Sequence, residues 1–404
     1  MKGIEVRLAD ICEVITKGTT PSNIGEEFTT DGVRYIRSEM INSSKNISEE
    51  GVLYISEETH DKLKRSQLKS GDILFSMAGV YLGKTAILRE RDVPANTNQA
   101  VALIRVNPKK CNREYIYYFL NLPAIVKSVN SMTAQAAQPN INLRQIGNIP
   151  IVLPPQEVQD RVVAVISPYD ELIENNQRQI KLLEEAARRV YKEWFVDLRF
   201  PGHENTKITD GVPEGWRMAV LSEIASVNKE SISKQYPYDY VDYIDIGSVS
   251  KGQISSVTRL STKDAPGRAK RIAFDGDVLW GMVRPNLKSY ALVFHPKETS
   301  VFSTGFAILH AEKVPFSFLY CHVTQDEFVS YLINCTNGAA YPAVKPSHFE
   351  NAVLLVPTDM VLSKFHSLVG QMFRQAEILE QKNQQAIEAR DRLLPKLMSG
   401  EIEV

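Results

Sequence analysis

Cysteine is scarce in this 404-residue sequence: Cys12, Cys111, Cys321 and Cys335 stand alone, with no close pair among them. That excludes a CxxC metal site and a disulfide framework, and it fits a reducing cytoplasm. An excess of charge is also missing. Lys and Arg number 47 against 48 Asp and Glu, a formal net charge of −1. A protein that coated a nucleic acid through bulk charge would be basic, so any such binding must reside in local patches. The seven histidines, His60, His203, His295, His310, His322, His348 and His366, show no ligand spacing, and Cys321-His322 reads as part of a buried helix rather than a metal site. No apolar run reaches membrane length, and the opening MKGIEVRLADICEVI holds no signal-peptide core. The expected location is cytoplasmic.

What is present is a long periodic stretch. Hydrophobic residues make up 43% and charged residues 24% of the chain, ordinary for a globular protein with room for two or three domains. Residues 156–195 carry Val158, Val162, Val165, Tyr169, Leu172, Ile180, Leu183, Ala187, Val190 and Trp194, mostly in steps of three and four. Such steps average about 3.5 residues, the seam of a coiled coil. Pro168 lacks an N–H and is expected to kink or restart the helix. Nothing else interrupts residues 169–197. At about 1.5 Å per residue that part alone spans on the order of 43 Å, which makes it a spacer.

The first 155 residues read as a mixed α/β domain. KGTTPS at 17–22 is a turn of small hydroxyl residues beside a cation, suited to phosphate contacts and equally to an ordinary surface turn. Residues 33–37 alternate as a strand, read with Arg34 and Arg37 on one face. A Gly-Asp turn leads into a buried strand near 73–76, a second strand follows at 100–106, a helix at 114–130, a polar loop at 133–141 and an extended segment at 148–155. AGVYLGKT at 78–85 matches a relaxed phosphate-loop pattern. A phosphate loop must open a helix, and residues 86–94 read as a proline-broken strand instead, so a contact loop or plain hairpin turn fits better.

The second half repeats the first. GDILF at 71–75 aligns with GDVLW at 276–280, an offset of 276 − 71 = 205, and the same offset brings Met77 onto Met282, Ala86 onto Ala291 and Ala102 onto Ala307. Leu8, Asp10, Ile11 and Val14 match Leu221, Glu223, Ile224 and Val227; Ala137 and Pro139 match Ala340 and Pro342. The phosphate-loop look-alike becomes Val283–Ser289, without its glycines but with a cation and a hydroxyl. A second three-four stripe runs from Leu362 through Phe365, Val369, Met372, Ala376 and Leu379 to Leu397, with polar Asn383 and Arg390 in it. Two such helices in one chain pair most simply with each other, antiparallel.

NIPIVLPPQE at 148–157, LLEEAARRVYKEWF at 182–195, PEGW at 213–216 and the paired Gly-Asp strands together resemble the specificity subunit of a type I restriction–modification enzyme, over essentially the whole length. The resemblance implies a mixed α+β fold: two similar target recognition domains, separated by two long helices that form an antiparallel coiled coil, in a pseudo-two-fold internal repeat. The expected organisation is a first recognition domain at 1–155, a central spacer helix at 156–198, a linker at 199–212, a second recognition domain at 213–357 and a C-terminal long helix at 358–404. Each domain would read half of a split, asymmetric double-stranded DNA target. The helices would hold two methyltransferase subunits, which motor-nuclease subunits join. The chain lacks the Asn-Pro-Pro-Tyr/Phe and Asp-Pro-Pro-Tyr tetrapeptides of amino-methyltransferases and a glycine-rich methyl-donor loop. Methyl donor, ATP and Mg are therefore expected on the partners, and this chain is expected to be non-catalytic. Two alternatives stay open, a coiled-coil scaffold that reads no DNA and a nucleotide-binding enzyme using residues 78–85. Duplex retention and ATP binding respectively separate them from the first reading.

Cations beside hydroxyls or amides in loops are the candidates for DNA contact, since Arg and Lys bind phosphates or guanine and Asn and Gln read adenine. They are Lys17, Thr19, Thr20, Arg34, Arg37, Tyr81, Lys84 and Gln138 in the first domain, and Lys234, Arg268, Lys270, Arg271, Arg284, Asn286, Lys288 and Tyr290 in the second. Residues 263–288 carry six cations against Asp264, Asp275 and Asp277, a local excess that makes this the leading patch.

Overall fold

The computed structural model describes residues 3–41, 45–49, 51–132, 140–233, 235–336 and 342–404. The chain divides into two units: unit 1 is Met1–Asn175 with Asn383–Val404, and unit 2 is Asn176–Lys382. Unit 1 is built on a four-stranded antiparallel sheet in the order Cys12–Lys17, Val101–Val106, Ile73–Ser76, Thr85–Ile87. Successive side chains of a strand point to opposite faces. Ile73 and Phe75 enter one core with Ala102 and Ile104, and Leu74 enters another with Val101 and Leu103. Both faces are covered, which is why these strands read as unbroken apolar runs. A smaller sheet orders Leu53–Ile55, Val33–Ile36 and Ala95–Thr97, the last two strands parallel.

Unit 2 repeats this plan. Ala225–Val227, Phe306–Ala311, Val278–Gly281 and Tyr290–Leu292 form the matching antiparallel sheet. Val278 and Trp280 face one core and Leu279 the other, the same alternation as in unit 1. The parallel pair recurs as Tyr240–Ile244 with Ser300–Ser303. Helices Arg113–Leu120, Pro123–Ser131 and Leu143–Gly147 recur as Phe316–Val323, Asp326–Asn334 and Pro346–Glu350, each 203 positions on (316 − 113 = 203). The helix expected over 114–130 is thus two helices. Pro123 opens the second, and Leu122 before it is held extended. Unit 2 also inserts Ala269–Ile272 and Glu230–Ser231 into its second sheet.

The first long helix, Gln156–Tyr191, runs through Pro168 without a break and ends in a π-helical turn, Lys192–Val196. The proline removes one backbone hydrogen bond, but buried Val162 and Ile166 before it and Ile173 after it anchor both sides, so the helix does not restart. The buried face also differs from the apolar stripe of the sequence. Gln159, Val162, Ile166, Asp170 and Ile173 are buried while Val165 and Leu172 are exposed. The stripe is rotated because the polar members find partners. Gln159 accepts from the Asn112 backbone N–H at 2.9 Å and donates to the Pro154 carbonyl at 2.8 Å.

The second long helix, Asp359–Ser399, contributes to both units. In unit 1, Leu394 and Leu397 share the core of Val162 and Ile166, and Arg390 donates to Asp170 at 2.8 Å, an antiparallel order. Asp170 also accepts from the Tyr118 hydroxyl at 2.6 Å, and Lys45, itself nearly buried, pairs with Glu114 at 2.6 Å and approaches Asp170 at 3.8 Å. Burial, and then the Asp170 carboxylate, hold the Tyr118 phenol well above its ordinary range. In unit 2 the order is antiparallel as well. Phe365 contacts Tyr191 and Trp194, with ring centroids 6.1 and 5.8 Å apart, while Phe373 lines a cavity of about 20 Å³ with Glu184 and Arg188. Among the described residues no helix is long and apolar enough to cross a membrane.

Candidate nucleic-acid interface

In unit 1 an open cleft of about 560 Å³ forms where the strand Cys12–Lys17 ends. Lys17, Gln99, Asn140, Asn142 and Arg144 line it beside Met77 and Ala78. Gly18 is required here. A Cβ on it would lie 1.7 Å from the Thr97 carbonyl oxygen, and its N–H bonds the Asn98 carbonyl at 3.0 Å. The KGTTPS turn is thereby locked to the loop at 97–99. The Thr20 hydroxyl hydrogen-bonds Gln99 Oε1, and the Tyr35 hydroxyl donates to the Thr19 carbonyl at 3.0 Å.

Tyr81 and Lys84 lie on the loop that leaves the cleft at Ala78, with the ammonium 5.1 Å from the ring centroid. Residues Gly79–Tyr81 make one 3-10 turn and Thr85–Ile87 is a strand, so this loop opens a strand and not a helix. Arg34 and Arg37 do not share a face. Residues three apart on a strand point to opposite sides, and Arg34 approaches Asp92 at 3.6 Å whereas Arg37 pairs with Glu39 at 2.8 Å. Gln138 lies outside the described residues. Sequence reasoning missed Gln99, Asn140, Asn142 and Arg144. The signal that could have found them is the capping box of Asn142 and Gln145, which starts the short helix Leu143–Gly147 at the rim.

In unit 2 the basic residues gather on the inserted strand Ala269–Ile272. Lys270 is exposed; Arg271 donates to Ser231 at 3.4 Å and keeps a buried Nε without a partner; Arg268 donates to the Tyr243 hydroxyl at 3.0 Å. Two of the acids counted against this patch are occupied within the unit. Asp275 accepts from Arg374 at 3.1 and 2.6 Å, and Asp277 is buried and accepts from His310 at 2.7 Å. Burial pushes the Asp277 carboxyl up, with the Phe274 N–H and His310 pulling the other way. Arg284 and Lys288 both adopt left-handed backbone around Pro285–Leu287, with φ of 51° and 54°. Lys288 is held by Asp326 at 2.6 Å and Asn286 is exposed.

Tyr290 is not available to a ligand groove. Strand alternation turns it into the core against Trp280 and Tyr320, it is 3% exposed, and burial pushes its phenol up to about 12. Lys234 lies outside the described residues. Among those described, no group of three or more His, Cys, Asp or Glu side chains is placed to hold a metal ion.

Residues 1–185 match the family model of the type I restriction modification DNA specificity domain. Over 423 residues, 98% of this chain and 93% of the relative, the sequence is 25% identical to the type I restriction enzyme MjaIX specificity subunit of Methanocaldococcus jannaschii. The MjaVIII specificity subunit of that organism is 22% identical over 335 residues, 80% of this chain and 76% of the relative. The crystal structure of the type I restriction-modification system S subunit from M. genitalium has the same fold, with a TM-score of 0.57 at 13% identity, covering 98% of this chain and 95% of that one.

Proposed function

We propose that this chain is a type I specificity subunit, the non-catalytic DNA-reading subunit of a type I restriction–modification enzyme in the cytoplasm, supported by the family match over residues 1–185 and by the similarity to a specificity subunit over nearly the whole length. The observation that carries this reading is the duplication: one two-sheet domain occurs twice, with unlike cations and amides around each copy. Two unlike readers specify a split, asymmetric duplex target. In unit 1 the contacts are assigned to Lys17, Thr19, Thr20, Tyr81 and Lys84, and in unit 2 to Arg268, Lys270, Arg271, Arg284 and Asn286, with Gln138 and Lys234 kept as further candidates. The long helices carry two methyltransferase subunits, and motor-nuclease subunits join that assembly. Methyl transfer, ATP and Mg belong to those partners.

The test is a domain exchange in the assembled enzyme. Replacing residues 1–155 with the corresponding domain of a relative is expected to change one half of the methylated sequence and leave the other half intact. A chain that acts only as a scaffold would leave the methylated sequence unaltered, and so would sink the reading.

A further inference from the structure

We propose that the unit 1 cleft seats the major-groove edge of an adenine against Gln99, with the adjoining phosphates on Lys17 and Arg144; this rests on the DNA-reading function above. Gln99 has the required preorganisation. Its loop is clamped to the KGTTPS turn by Gly18, and the Thr20 hydroxyl fixes its amide through Oε1. The amide N–H₂ makes no hydrogen bond among the described residues, and Oε1 keeps a second lone pair. An amide held in this way offers one acceptor and one donor side by side, the complement of adenine N6–H₂ and N7. Guanine presents two acceptors there and would set its O6 against the amide oxygen.

The other amides are less suited. Asn142 spends its side-chain oxygen on the Gln145 N–H at 2.9 Å, capping the short helix. Asn140 is held through its backbone by the bridge to Ala78, and no hydrogen bond among the described residues fixes its side-chain amide as Thr20 fixes that of Gln99. The electrostatics fit a backbone on either side of the base. No lining residue is acidic. Lys17 and Arg144 have no ion pair among the described residues, whereas Arg34, Arg37, Arg89, Arg91 and Arg105 of the same unit each hold a carboxylate. Cations left unpaired beside a fixed amide suit a polyanion that carries a base edge.

The experiment maps methylation genome-wide for the assembled enzyme and measures its duplex affinity against salt. With Gln99→Ala, one adenine position of one half-site should lose about ten-fold or more of its discrimination, with the other half and the spacing unchanged. Lys17→Ala and Arg144→Ala should keep the motif but weaken binding to all duplexes, each reducing the salt slope by about 1. Gln99→Glu keeps the shape and exchanges donor for acceptor, so it should move the preference at that position from adenine toward cytosine. An unaltered motif in either Gln99 variant overturns the proposal, as does an assembled Gln99→Glu enzyme that binds all sequences equally weakly. A wild-type enzyme without a two-part motif would instead refute the DNA-reading function itself.

Discussion

The same position of the duplicated plan holds Asp170 in unit 1 and Phe373 in unit 2, 373 − 170 = 203 positions apart, the offset that also relates the preceding helices. Around Asp170 the long helices meet the recognition domain through Lys45, Glu114, Tyr118 and Arg390, all linked by charge or hydrogen bonds. Around Phe373 they meet it through rings. Phe373 packs edge-on to Tyr320 at 5.1 Å, and Tyr191 lies among Phe318, Phe365 and His322. One backbone plan therefore accepts either filling. Aromatic packing gains chiefly from buried area, with a smaller share from ring geometry, whereas a buried ionic cluster gains little over apolar residues of equal volume but loses heavily if one member is removed.

That asymmetry sets the largest expected effect. Asp170→Ala leaves Arg390 and Lys45 without their shared carboxylate and should destabilise the protein by about 3–5 kcal/mol in denaturant unfolding. Replacing the group together, Asp170→Leu with Arg390→Met and Lys45→Met, should recover most of that loss. A triple variant as unstable as the single one would show that the charges stabilise unit 1 in their own right.

A smaller effect separates the units by pH. His322 is partly exposed at its edge but its Nε2 is buried without a partner, and burial lowers its pKa from 6.5 to about 4. Its counterpart in unit 1, 322 − 203 = 119, is Phe119. The unfolded chain takes up this proton below pH 6.5 and the folded chain does so only near pH 4, so stability is present above that window and lost as pH falls through it. The loss is about 3 kcal/mol at about 1.4 kcal/mol per pH unit. His322→Phe should abolish it, read as the difference between wild-type and variant stability curves from pH 7 to pH 4. A constant difference across that range would mean that the histidine is protonated equally in both states.

The smallest effect concerns Ala269–Ile272, a strand with no strand counterpart among the described residues of unit 1. Arg271→Ala should weaken duplex binding by about 1–3 kcal/mol and leave subunit assembly intact. Equal affinity of variant and wild type in a binding titration would remove Arg271 from the proposed interface.

The repeat was legible because the Gly-Asp turn and the strand after it place residues on two buried faces, which constrains nearly every side chain there. The helices were legible as helices, but their buried face was not. Apolarity pointed to Val165 and Leu172, while Gln159 and Asp170 lie inside because their partners, Asn112, Tyr118 and Arg390, are 47 or more positions away in sequence. The candidate site was legible to the same limited degree. The KGTTPS turn stands out by composition, yet Gln99 and Arg144 reach its cleft only through tertiary pairing. Tyr290 failed as a contact because an aromatic residue next to a loop cation looks the same in sequence whether the strand turns it outward or inward.

Unit 1 takes residues from both halves of the chain, and this has a consequence for its biosynthesis. Leu394 and Leu397 complete a core whose other buried members end at Ile166, and Asp170 waits for Arg390, a partner 220 residues downstream. At about 5–20 residues per second that delay is on the order of 10–40 s. Unit 2 is continuous in sequence and is complete at Lys382, before Arg390 has been made. The half of the molecule translated first is therefore the last to close, and during that interval the part of its core that Leu394 and Leu397 later cover is open to chaperones and proteases.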